Sequence, residues 1–143
     1  MTYLILTIVH VLLTMGGYAG LIAINAWLLL LCRTGDANLI AKGVQIWRNT
    51  GRIFGPLLGL GVLVGFATVG AAGISLLSPW LIATYALIVI VVGGQAALMV
   101  PFTLRARRLA NGDTVSTLPI ALAILLLTLG YICIPALMFV RPA

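Results

Sequence analysis

Acidic residues are almost absent from this chain. Asp36 and Asp113 are the only two among 143 residues, against eight arginines and lysines and a single histidine. With 7% charged and 63% hydrophobic residues, there is too little charge to cover the surface of a soluble domain of this size, so lipid must be its solvent. No Asp, Glu, Lys or Arg lies inside the long apolar runs, which excludes an intramembrane proton relay, an ion pathway and a conventional coupled transporter. The chain also lacks a P-loop, a His-x-x-x-His pair, a nucleophile elbow and a Cys-x-x-Cys motif, and no residue is assigned a catalytic role. Its two cysteines, Cys32 and Cys133, fall near opposite ends of the expected spans and read as small apolar fillers rather than a disulfide or a metal site. The net charge of +6 does not point to nucleic acid, because the basic residues sit at the ends of apolar runs, where they set membrane orientation.

What is present is hydrophobicity in long blocks, with a mean hydropathy of +1.26. Four uncharged apolar segments, about 3–32, 53–78, 80–104 and 116–140, are each long enough to cross a bilayer. Helices satisfy their own backbone in lipid, and the short alternating strands of a barrel are missing. The expected fold is therefore all-α: one four-span transmembrane domain, an integral membrane four-helix bundle. The first run has no positive leader and is too long for a cleavable signal, so it reads as a span.

Between the first two spans, Thr34-Gly35-Asp36 stops one helix and Asp36 caps the next. From about 36 to 50, apolar Leu39, Ile40, Val44 and Trp47 share one face, and Lys42, Gln45 and Arg48 share the other. This predicts an interfacial amphipathic helix running into the second span, with Trp47 and Arg48 at the membrane interface, and Trp80 marking the opposite interface. In the second span Gly51, Gly55 and Gly59 repeat every fourth residue, and Gly61 with Gly65 forms a further pair. Such ridges let another helix approach closely, inside the bundle or from a neighbouring subunit. The two loops flanked by Arg33 to Arg52 and by Arg105 to Asp113 hold seven of the eight basic residues. The positive-inside rule places both in the cytoplasm of a bacterial inner membrane, with the N- and C-termini outside.

His10 is the one residue whose chemistry stands out. On a helical wheel Thr7, Thr14, Gly17, Leu21 and Asn25 lie within about 60° of it, so the first helix has one small and polar side. That side should face protein or a ligand. By depth, His10 is level with Tyr85 and with Cys133 or Met138, and Met15 lies a turn deeper. A neutral imidazole in an apolar bundle suits a haem with a Met or a second His opposite. The residues alone favour the plainer reading, a packing histidine bonded to a Thr, a Tyr or a carbonyl.

The run from His10 through Gly17 to Tyr18-Ala19-Gly20-Leu21 resembles the first helix of HemJ-type membrane proteins. The likeness extends to the arginine-rich first loop, Pro56, Trp80-Leu81-Ile82-Ala83 and the closing Arg141-Pro142. It is shared with CopD-type copper-resistance domains and the small bacterial four-span proteins grouped near them. The resemblance implies a four-helix bundle with haem b at the first-helix histidine, and an enzyme that oxidises protoporphyrinogen. Tyr18 and Tyr85 become candidate cofactor neighbours. However, Thr84 stands where that family has a basic residue, Gly17 where it has an aromatic, and Gly93-Gly94-Gln95 where it has a polar His-Gly-Trp run. The fold and His10 carry over; the reaction does not. The first reading of function is thus a non-catalytic accessory subunit of a larger respiratory or photosynthetic membrane complex, touching lipids, other subunits or copies of itself. The alternative is a b-type haem-binding redox or protoporphyrinogen-oxidase-like protein using His10. A copper or small-solute carrier comes third.

Overall fold

The computed structural model describes the backbone of residues 1–140 and the side chains of residues 1–138; Arg141 and Pro142 lie outside the described residues. The protein is all-helical, with helices α1 (Thr2–Cys32), α2 (Ala37–Ala71), α3 (Pro79–Ala97), α4 (Met99–Ala110) and α5 (Leu118–Val140). No strand occurs among the described residues. Four helical stretches are long and apolar enough to cross a membrane, with α3 and α4 together forming one of them, so this is a multi-pass membrane protein. α3 gives way to α4 at Leu98 because Pro101 has no N–H for the carbonyl of Ala97, and its ring crowds that carbonyl.

The amphipathic segment is the opening of α2. Asp36 is its N-cap, its carboxylate accepting from the N–H groups of Asn38 and Leu39 at 2.8 and 3.2 Å. At about 1.5 Å per residue, α2 is about 52 Å long and α1 about 46 Å, so both outreach a 30 Å hydrocarbon core. The two lie antiparallel along most of their length, as the paired contacts of Gly43, Gly20, Gly17, Gly61 and Gly65 show. Protein therefore covers part of the apolar face of residues 36–50, while Leu39 and Ile46 stay exposed. Ile40 and Trp47 are buried in a cluster with Leu28, Cys32 and Phe102, and the Trp47 and Phe102 rings meet edge to face at 6.0 Å. Trp47, expected at the membrane interface, is a core residue, whereas Arg48 is exposed.

The α1–α2 pair is close because side chains are missing at the right places. A Cβ on Gly61 would stand 2.7 Å from Thr14 Cγ2 and 3.1 Å from its backbone N. One on Gly17 would stand 3.0 Å from Leu58 Cβ and 3.2 Å from its Cα. Gly20 takes the Phe54 ring and Gly43 takes Leu31. α3 and α5 use the same device reciprocally, Gly94 under Leu127 and Gly130 under Val91. By contrast, a Cβ on Gly51, Gly55 or Gly59 would meet nothing within 4 Å. The ridge at 51, 55 and 59 is not used inside this chain; the pairs that are used, Gly16 with Gly20 on α1 and Gly61 with Gly65 on α2, have the same four-residue spacing.

One polar chain ties three helices. Gln95 Nε2 on α3 donates to Asn25 Oδ1 on α1 at 2.8 Å, Asn25 Nδ2 donates to Thr128 Oγ1 on α5 at 3.2 Å, and Thr128 donates on to the Ile124 carbonyl. Asn25 is fully buried, as an amide at this depth must be unless it faces water. At the basic end Arg105, 4% exposed, donates from Nη2 to the Cys32 carbonyl at 3.3 Å and from Nη1 to the Val115 carbonyl at 2.9 Å. It thereby satisfies an orphan carbonyl at the C-terminus of α1 and pins the 111–117 link.

Gly17→Ala and Gly55→Ala separate these roles. The first presses a methyl group on the Leu58 backbone and should cost about 1–3 kcal/mol in unfolding titrations in mixed micelles. The second enters open space and should be neutral or gain up to about 1 kcal/mol of helix propensity.

Candidate functional site

The end of the bundle remote from Arg105 is looser. α1 packs on α2 and α5, and α3 on α5, but α2 and α3 scarcely meet. The gap between them is a partly open cavity of about 420 Å³, within the range of small-molecule sites. Its floor and walls are apolar, built from Val62, Phe66 and Val69 of α2 and Leu81 and Ile88 of α3. Into this setting α1 contributes His10, Thr7, Thr14 and Tyr18, and α3 contributes Tyr85 and Trp80. Trp80, expected as an interfacial anchor, is half-buried in the cavity wall.

His10 is placed by glycine. A Cβ on Gly65 would stand 2.7 Å from its Cε1, so only the missing side chain lets the ring lie against α2. There Nδ1 lies 2.6 Å from the carbonyl oxygen of Gly61. A carbonyl only accepts, so Nδ1 carries the proton and donates; in the neutral ring Nε2 then keeps its lone pair. Thr14 does not bond the ring; its hydroxyl returns to the His10 and Val11 carbonyls of its own helix at 2.7 and 3.2 Å. Donation of one ring N–H to a backbone carbonyl is the usual arrangement behind a histidine that ligates through the other nitrogen.

Two residues that line the same cavity, Tyr18 and Tyr85, also carry buried hydroxyls with nothing to bond. The Tyr18 ring packs 6.0 Å from Tyr131, whose hydroxyl is also unpartnered but does not line the cavity, and Tyr85 packs 5.2 Å from Phe66. Such atoms are uncommon in a folded interior, and those of Tyr18 and Tyr85 belong to residues that line the cavity.

Of the residues level with His10 in the sequence, Tyr85 and Met138 do line the cavity, together with Met15. Cys133 does not: it is exposed, and Cys32 is buried at the other end, both as free thiols. Among the described residues no group of three His, Cys, Asp or Glu could hold a metal ion. A haem, which brings its own equatorial nitrogens and needs only axial ligands, is a different test, and the residues fit it: His10 has Nε2 free, and the thioethers of Met15 and Met138 share its cavity. Of the glycines singled out on α2, only Gly65 touches the site, with Gly61 lending its carbonyl.

Tyr131→Phe removes a hydroxyl that bonds to nothing and should leave thermal stability unchanged or raised, because the unsatisfied group is the costly one. Tyr18→Phe should behave alike in ligand-free protein and lower retention of anything bound in the cavity, which equilibrium dialysis of a bound chromophore reads directly. Comparisons with protein-family models, with curated proteins and with solved structures found no match.

Proposed function

We propose that this chain is a bacterial inner-membrane protein that holds an apolar, hydrogen-bonding prosthetic ligand in the His10 cavity, and that a b-type haem is the ligand its residues suit best. The observation that carries this reading is the Nδ1–Gly61 bond, which orients the sole histidine with Nε2 free beside a cavity of ligand size. The unpartnered Tyr18 and Tyr85 hydroxyls supply hydrogen bonds to polar substituents of the ligand. Bound there, a haem supplies one-electron transfer. The described lining contains no lysine or arginine that would pair with carboxylates on a ligand.

A HemJ/CopD-like relationship agrees with this placement of His10. We assign no catalytic residue. Thr84, in place of a basic residue, is fully buried and bonded to the Trp80 carbonyl, so no charge approaches the cavity from that position.

A second reading, an accessory subunit within a larger membrane complex, draws on a separate observation: the Gly51, Gly55 and Gly59 ridge meets nothing in this chain and offers a smooth face to a neighbouring helix. The two readings are compatible, since a subunit can carry a ligand. The links 33–36 and 111–117 lie at one end of the bundle, as the Arg105 bonds require, and the basic residues beside them, Arg33, Lys42 and Arg48 on one side and Arg105, Arg107 and Arg108 on the other, support a cytoplasmic position for that end by positive-inside logic.

A reduced-minus-oxidised absorption spectrum of gently extracted protein, run beside a native gel, tests both. Sharp b-type bands that vanish in His10→Ala are expected. A spectrum without bands, or bands indifferent to His10→Ala, overturns the haem reading; migration as a free monomer overturns the accessory one.

A further inference from the structure

The basic end of the bundle carries a second cavity, of about 370 Å³, between α4, the 111–117 link and α5. It is amphipathic in a particular way. Leu98, Leu104 and Ile120 form an apolar wall, and Arg105, Arg108 and Ser116 supply polar groups.

Arg105 is the unusual member. A guanidinium has five N–H donors, and the two carbonyl bonds to Cys32 and Val115 occupy two of them. Nε is buried with no acceptor. The Cys32 carbonyl adds the partial negative charge of a helix C-terminus, but no carboxylate accepts from this buried cation. Removing a cation from water without an anion is expensive, so the environment is poised for negative charge. Arg108, one turn further along α4 and exposed, faces the same cavity and brings a second cation on a flexible stem.

We propose that this cavity binds one anionic phospholipid of the surrounding leaflet, its phosphate held by Arg105 and Arg108 with Ser116 beside them, and an acyl chain laid along Leu98, Leu104 and Ile120. Free phosphate offers the same oxygens but nothing for the apolar wall to cover. Two cations beside an apolar wall, of which Leu104 is exposed while Leu98 and Ile120 lie deeper, match a charged headgroup and its tail together, the pattern of basic pockets between membrane helices. The site is at the opposite end of the bundle from His10 and is independent of any ligand there.

The test uses the whole purified chain in non-ionic detergent, with phosphatidylglycerol, phosphatidylcholine and inorganic phosphate as separate probes, read by native mass spectrometry and thermal unfolding. One phosphatidylglycerol per chain should be retained and should raise the melting temperature, while phosphatidylcholine should do neither. Arg108→Gln should weaken phosphatidylglycerol binding about fivefold. Arg105→Gln should weaken it further; because Arg105 also caps α1, Arg108→Gln and the wild-type comparisons decide the matter if that variant fails to fold. Equal retention of both lipids, or unchanged preference in Arg108→Gln, overturns the proposal. Stabilisation by inorganic phosphate that displaces the lipid overturns it in favour of a small-anion site.

Discussion

The contact between α1 and α2 is the constraint on which the rest of this structure depends. Between lipid-immersed helices there is no hydrophobic drive to associate, because lipid tails are as apolar as leucine. Association must come from close van der Waals packing and from hydrogen bonds, and both are strongest where backbones approach. Here the approach is made by Gly17, Gly20, Gly43, Gly61 and Gly65, each receiving a side chain or a backbone from the opposite helix. The same proximity brings the Gly61 carbonyl within hydrogen-bond reach of His10. Packing and site chemistry are thus one arrangement: a bulkier residue at 61 or 65 would separate the helices and turn the imidazole away.

Polar groups at membrane depth are few, and their treatment differs along the bundle. In the middle, Asn25, Gln95 and Thr128 hydrogen-bond one another across three helices, although Gln95 Oε1 remains without a donor. At one end the hydroxyls of Tyr18 and Tyr85 are left unpaired beside a cavity, and at the other Arg105 keeps donors in reserve. The two cavities ask for different partners, one for a histidine ligand among aromatic hydroxyls, the other for an anion above an apolar wall.

Much of the architecture was legible from hydropathy alone, because charge is so scarce that its positions delimit the helices. The Asp36 cap, the start of α5 at Leu118 and the inward side of α1 through Thr14, Gly17, Leu21 and Asn25 all follow from local chemistry. The glycine reading divides for a physical reason: Gly61 and Gly65 pack within the chain, and Gly51, Gly55 and Gly59 do not. A four-residue repeat shows which glycines align on one helix, but not whether a neighbour stands over them, and the aligned ridge at 51, 55 and 59 has none in this chain. Trp47 misled in the same way: an aromatic beside an arginine looks interfacial until α1 and α4 cover it. Arg105 was hidden among three arginines with nothing to distinguish it, since its burial depends on the 111–117 link folding back over it. At His10 the residue type was readable, but its tautomer was not, because that is set by a carbonyl 51 positions away.

The most direct measurement exploits the single histidine. Protein labelled with ¹⁵N histidine and ¹³C-carbonyl glycine, reconstituted in bilayers, gives a dipolar contact only where the imidazole meets a glycine carbonyl. A protonated Nδ1 in short-range contact with one glycine carbonyl is expected, lost in Gly61→Ala, where the labelled carbonyl is replaced. A protonated Nε2 with a bare Nδ1, or a contact that survives Gly61→Ala, would contradict the α1–α2 register and the site built on it.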